Sequence, residues 1–362
     1  GDRPLHDVAV HLTGDSGSYL ARWFDDMWSR ADPDKDEAAA RAAGPRLASR
    51  TSRTSRTPRA HAANSVRLLR TTPRGYASAP RGLTEILDAY VEAIERARSF
   101  IYLESQYFSA RPIARAVRQA LDSHPELEVV LLLNQNPDIT GYRTWQDARL
   151  AESELLGHAR VGAFSLWSTA DSFVREQTVE LTQVFIHSKV AVIDDEWATI
   201  GTANLDGASL HSYGDDFISW LGQRIFRRFR NVDLNVELLD GVLGEPRTGV
   251  VRTFRADLWS RHLGGSAEAY AALPATGWLS HWRTAAQANV AALAAPRGRL
   301  AAGRVLPYVP TGRPRDQLRA LGVDLEMASL DLRFDPGPLE VHCSPGWTKR
   351  LLPERLRAGR AQ

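Results

Sequence analysis

The sequence predicts an α/β fold, a mixed β-sheet flanked by helices. Three observations predict it. Near-continuous apolar runs such as LEVVLLLN (127–134) have the composition of strands buried on both faces. Stretches such as GLTEILDAYVEAIERAR (82–98) instead carry apolar residues at helical spacing. The two kinds alternate along the chain, which is the order expected of helices packed on a central sheet.

Taken in order, LHDVAVHL (5–12) reads as a strand with partial alternation. Residues 18–30 read as a short helix with Leu20, Trp23, Phe24 and Met27 on one side. From Ala31 to Asn64 large apolar residues are scarce and Ser-Arg-Thr repeats, so this stretch reads as a linker. It is either a solvated insertion or a contact for acidic headgroups and phosphates. Order resumes at Val66. The helix over 82–98 places Leu83, Leu87, Tyr90, Val91 and Ile94 in register. FIYLES (100–105) follows as a strand, then a helix from Pro112 to Ser123 and the apolar strand 127–134. A helix over 143–157 and a strand over 159–167 come next. FIHSKVAVID (185–194) and EWATIGTAN (196–204) read as two strands around a turn at Asp194–Asp195. A strand over 232–240 and a helix over 250–264 complete the series. Beyond lie a helix over 277–295 and a short strand in DLRFDP (331–336), within an irregular C-terminal extension. The expected divisions are 1–30, a linker over 31–65, a main unit over 66–264 and an extension over 265–362.

Charge and cysteine usage narrow the function classes. Lys and Arg total 45 against 43 Asp and Glu, a net charge of +2, so no global polycation points to nucleic acid. Cys343 is the single cysteine, which excludes an intramolecular disulfide and a thiolate zinc cluster. No apolar run is long enough to span a bilayer, and the first residues show no basic and apolar leader pattern. The expectation is a soluble or peripheral membrane protein, cytoplasmic or secreted.

One motif carries sharp chemistry. His187-Ser188-Lys189 is followed by VAVI and Asp194, then by Gly201-Thr202-Ala203-Asn204. On a strand, His187 and Lys189 share a face, which joins an imidazole to an ammonium. The small residues after them allow close backbone approach, and Asn204 can aim its amide at the same place. Such a set suits phosphoryl transfer without metal. Histidine attacks phosphorus or protonates a leaving oxygen, while lysine and asparagine hold the other oxygens. No cofactor and no metal are expected.

HSKVAVID followed by GTANLDGASL resembles the H-x-K-x-x-x-x-D signature of the phospholipase D superfamily, with its downstream G-S/T-x-N segment. IYLESQYF (101–108) resembles the block between that family's two catalytic motifs, and LHDVAVHLTG (5–14) the segment just after the first. The resemblance covers roughly residues 3–265. It implies a phospholipase D-like mixed sheet. It also implies a phosphodiesterase that cleaves phospholipids such as phosphatidylcholine through a phosphohistidine, releasing phosphatidic acid and the headgroup alcohol. By that precedent His187 is the general acid and base, Lys189 and Asn204 bind phosphate oxygens, and Asp194 supports them. Ser209 stands where the family keeps a hydroxyl that contacts phosphate, whereas Ala208 stands where many members have arginine. Glu104 and Gln106 form either a cleft wall or a structural block at the sheet edge. Trp145, Trp167 and Trp197 line a lipid entrance or fill the core. The implied partner is a phospholipid met by peripheral membrane contact, with no nucleic acid.

The family's lipid enzymes carry two such motifs, and no second His-x-Lys occurs here. His6 and His11 do not supply it and read as strand residues near the surface. The resemblance implies that residues 1–30 are a remnant of a first half and that the missing half-site precedes this chain. The alternative is a single-motif protein that completes its site with a second copy. Other readings are cardiolipin synthase-like phosphatidyl transfer, a superfamily nuclease and a non-catalytic phospholipid-binding protein.

Overall fold

A computed structural model describes residues 4–12, 15–31, 64–73, 76, 78–138, 142–172, 175–211, 231–241, 248–272, 277–310 and 313–333. The Ser-Arg-Thr repeat, most of the expected linker and Cys343 lie outside the described residues.

The centre of the sheet grows from three parallel strands, β4 (Phe100–Ser105), β5 (Glu128–Leu133) and β6 (Val161–Asp171); β1 to β3 precede them in the chain. Beside β4 the direction reverses into β8 (Lys189–Ile193), β9 (Trp197–Gly201) and β10 (Asp233–Asp240), each antiparallel to its neighbour. β2 (Asn64–Thr72) and β3 (Leu83–Thr84) close that side. Across the centre, the long β6 turns back as β7 (Val179–Ile186), whose far edge takes β1 (Leu5–His6) in parallel. β11 (Val305–Pro307) pairs β6 and β12 (Leu330–Arg333) pairs β7, so the last strands join the same sheet. The helices are α1 (Asp15–Ala31), α2 (Glu85–Arg96), α3 (Arg111–Ser123), α4 (Tyr142–Glu152) and α5 (Gly207–Leu210), then α6 (Val250–Leu263), α7 (Ala267–Ala271), α8 (Trp278–Leu293) and α9 (Pro314–Ala320).

Two-residue periodicity sends alternate side chains of the central strands to opposite faces. Ile101 and Leu103 of β4 join α2 and α3 in one core, with Ile86, Ile94, Ile113 and Val117. Phe100 and Tyr102 join α6 and α8 in another, with Trp259, Trp278 and Trp282. Strands covered on both faces explain why the central runs are apolar without alternation. The expected boundary at residue 264 therefore falls between α6 and α8, two helices that share one core.

Two expected strands differ from the structure. LHDVAVHL contributes only Leu5–His6, because the next free N–H, on Val8, turns onto the Asp7 carboxylate at 2.9 Å. FIHSKVAVID is broken at His187–Ser188. The His187 N–H makes the last bond of the pairing with β1, donating to the His6 carbonyl at 2.8 Å, and the Ser188 N–H shares that carbonyl at 3.3 Å. Trp167 and Trp197 are buried, their indole N–H groups donating to Ser165 and Glu237, so neither lines a lipid entrance. Trp145 is 62% exposed. Among the described residues, no helix is long and apolar enough to cross a membrane.

Trp282 lies fully buried, with its ring centroid 5.4–5.5 Å from those of Tyr102, Phe164 and Trp259. Trp282→Ala is expected to lower stability by about 3–5 kcal/mol. A urea titration followed by circular dichroism checks it.

Candidate active site

The polar groups of interest gather at one end of the sheet, because the antiparallel partners run back to the edge where β4 and β5 finish. Gln106 follows β4, Asn134 and Asp138 follow β5, and His187 follows β7. Lys189 opens β8, opposite Ser105. Asn204 and Asp206 follow β9, and Asp233 opens β10. Gly201 is needed where β9 meets β10, since a Cβ there would clash with the Asn235 side chain and the Leu234 carbonyl. Asn235 uses the space to accept from the Ala203 N–H at 3.2 Å, which fixes the start of the Asn204 turn.

His187 is held in a loop, not on a strand. Asn134 fixes the end of β7 by accepting from the Ile186 N–H and donating to its carbonyl, both at 2.8 Å. The His187 Nδ1 lies 2.8 Å from Asp7 Oδ2, and both side chains are 47% exposed. Burial raises the Asp7 carboxyl, but hydrogen bonds from His187 and the Val8 N–H outweigh it and hold the group below its usual range. An ionised Asp7 accepts only, so Nδ1 carries a proton toward it and Nε2 is the ring nitrogen left to exchange one. Asp7 escaped the sequence reading: it is 180 residues from His187, and no local pattern marks it.

Lys189 reaches the same place from beneath. Its ammonium donates to Gln106 Oε1 at 3.0 Å and to the His187 carbonyl. Gln106 thus joins the site through Lys189. Asn204 is half-buried, and its Oδ1 is a buried acceptor with no hydrogen-bond partner among the described residues. Ser209 is buried in α5, where its N–H caps Asp206 at 2.7 Å and its hydroxyl accepts from Asn231 at 3.1 Å. Burial pushes Asp206 up to about 6, reinforced by the nearby Asp233 carboxylate and opposed by the Ser209 N–H.

Glu104 is not a cleft wall, for it is fully buried. It accepts from Tyr102 at 2.6 Å and from the Ser188 hydroxyl, and it lies 2.6 Å from His6 Nε2 and 3.3 Å from His262 Nε2. Burial raises its carboxyl, but His262 and His6 outweigh that and hold it well below the carboxylate range. The donor atoms of His6, Glu104 and His262 lie within 4.8 Å of one another, and this is the set among the described residues that could hold a metal ion. His6 is therefore an inward ligand of a buried carboxylate, not merely a surface strand residue.

Asp194 does not join the site. It sits at the far end of β8, five residues from Lys189 or roughly 16 Å by strand rise. There its carboxylate accepts from the N–H groups of Arg98, Ser99 and Phe100 at 2.6, 2.8 and 2.7 Å, pinning the entry to β4. Beside it Asp195 pairs with the buried Arg255 at 2.6 Å.

Two outcomes follow from these environments. Asp194→Ala is expected to cost about 2–4 kcal/mol of stability by orphaning three N–H groups, with the His187 ring environment unchanged in side-chain NMR spectra. Burial pushes the Lys189 ammonium down to about 8, although Asp7, Asp233, Asp138 and Asp206 pull upward. Between pH 8 and its ordinary 10.5 the unfolded chain binds the extra proton. Stability then rises with pH across that window, by about 3 kcal/mol. Lys189→Met removes this rise, measured as the difference between urea midpoints of the two proteins from pH 7.5 to 10.5.

Residues 90–232 match the family model described as "Cardiolipin synthase, PLD-like domain". Phospholipase D alpha 2 of Oryza sativa subsp. japonica is 22% identical over 337 residues, covering 72% of this chain and 40% of the rice protein. Phospholipase D zeta 1 of Arabidopsis thaliana is 24% identical over 237 residues, covering 55% of this chain and 21% of its own length. The chain thus spans well under half the length of these curated relatives. A solved phospholipase D family member, Nuc from Salmonella typhimurium, aligns with 55% of this chain and 93% of its own, at 16% identity and a TM-score of 0.32. Residues 90–232 are thus similar to a phospholipase D-like domain, and the chain is distantly similar in sequence to phospholipase D proteins.

Proposed function

We propose that this chain provides one half-site of a phospholipase D-type phosphodiesterase acting on phospholipids such as phosphatidylcholine. The observation that carries the reading is the pairing of His187 with Asp7 while the Lys189 ammonium donates to the His187 carbonyl. Asp7 holds the proton on Nδ1, so Nε2 is the atom that moves a proton. Lys189 and Asn204 are the groups placed to bind phosphate oxygens, with Ser209 behind them.

The proposed reaction has two steps. A histidine of a second half-site attacks phosphorus, the phosphorus–oxygen bond to the headgroup breaks, and His187 gives its Nε2 proton to the leaving alcohol. His187 then takes a proton from water, whose oxygen attacks the phosphohistidine, releasing phosphatidic acid and the free histidine. The sequence has one His-x-Lys pair, so the second histidine comes from another polypeptide segment or from a second copy of this chain. Peripheral contact with a lipid surface follows from the substrate class. The matching family model, described by cardiolipin synthase, favours a second reading in which an alcohol replaces water and a phosphatidyl group is transferred.

Choline release from phosphatidylcholine in EDTA tests the proposal, with oligomeric state recorded on the same samples and glycerol added as acceptor. Activity in a dimer, resistant to chelation and lost in His187→Ala, assigns both histidines to copies of His187. Asp7→Asn is expected to lower kcat by about 10²-fold or more. Turnover that survives in His187→Ala overturns the reading.

A further inference from the structure

Glu104 takes no part in the steps above, yet it is a buried carboxylate in close contact with four polar side chains. Its four partners come from four places in the chain: Tyr102 on β4, Ser188 in the catalytic loop, His6 on β1 and His262 on α6. Ser188 sits between His187 and Lys189, and its hydroxyl donates to Glu104. His6 holds the loop twice. Its ring lies on Glu104, while its carbonyl accepts the N–H groups of His187 and Ser188. The next residue, Asp7, holds the His187 ring.

The His187–Asp7 contact is too exposed to fix itself. Both side chains are 47% exposed, and an exposed ion pair contributes about 0–1 kcal/mol. The geometry of that pair must come from the backbone on either side, and both sides are anchored on Glu104: His187 through Ser188, and Asp7 through His6.

We propose that Glu104 is a positioning residue, which through Ser188 and His6 sets His187 against Asp7 and thereby fixes which ring nitrogen of His187 carries the proton. This rests on the half-site reading for its meaning in catalysis, but its geometry does not depend on substrate. Glu104 touches no reacting atom; it acts by holding two chain segments, 180 residues apart at His187 and Asp7, in one register.

Side-chain ¹⁵N NMR reads the tautomer directly, at a pH where the His187 ring is neutral, with its signals identified by their loss in His187→Ala. Wild type, Glu104→Gln, Ser188→Ala and the double variant are compared. The expected result is an Nδ1–H tautomer in wild type that gives way to a mixed population in each single variant, with no further change in the double. Ser188→Ala keeps the test decisive should Glu104→Gln fail to fold, since it leaves Glu104 its three other partners. An unchanged tautomer in Ser188→Ala, or additive effects in the double variant, overturns the proposal. So does stoichiometric divalent metal retained by wild type and lost in Glu104→Gln, which would make the cluster a metal centre. Where an active assembly is available, kcat is expected to fall about tenfold in Ser188→Ala with KM within twofold. Inactive protein with the expected tautomers counts against the phospholipase reading and leaves the positioning role standing.

Discussion

The site at the sheet edge depends on one shared acceptor, the His6 carbonyl. It takes the N–H of His187 as the last bond of the parallel pairing with β1, and the N–H of Ser188 as well. The turn from β7 to β8 is held there, and the Lys189 ammonium donates to the His187 carbonyl within it. The turn is tolerated because both donors are satisfied, and because Asn134 bonds both backbone groups of Ile186. A single peptide carbonyl, outside every catalytic motif, thus anchors the turn that carries His187.

The charge around Lys189 is arranged for restraint. One ammonium stands among the carboxylates of Asp7, Asp138, Asp206 and Asp233, and burial still moves it toward neutrality. The hydroxyl of Ser209 and the amide of Asn204 add polar groups without charge, and Ala208 adds none. Under the proposed function, Lys189 meets the phosphodiester from among these carboxylates, so binding at one half-site is modest and the second half-site must engage the same phosphate.

The fold and the ligand-facing residues were legible in the sequence to different depths. The strand 100–105 and the helices expected over 82–98, 112–123 and 277–295 follow from local composition and spacing, except that the first starts at Glu85 because Leu83 and Thr84 pair with β2 as a strand. His187, Lys189 and Asn204 were legible because a motif compresses them into eighteen residues. Asp194 belongs to the same motif but serves the fold; period and spacing place it on the chain and say nothing about which end of β8 faces substrate. Asp7, His6 and His262 were not legible. Each side chain acts through a distant contact, Asp7 on His187 and both His6 and His262 on Glu104, and their neighbours in sequence look like those of any strand or helix.

The exposure of the His187–Asp7 pair bears on how the site works. An imidazole that shuttles a proton in bulk water gains little from an exposed carboxylate, because solvent screens the pair and competes for both nitrogens. The same contact strengthens when water is excluded. Leu5 and Val10, on either side of Asp7, are exposed apolar side chains at 60% and 37%, and Phe24 and Trp28 stack on α1 with both rings outward. Under the proposed function, Leu5 and Val10 flank Asp7 where the segment carrying the second histidine would close. On that reading assembly and activation are the same event, since closing the second half-site over Asp7 both supplies the nucleophile and dries the proton carrier.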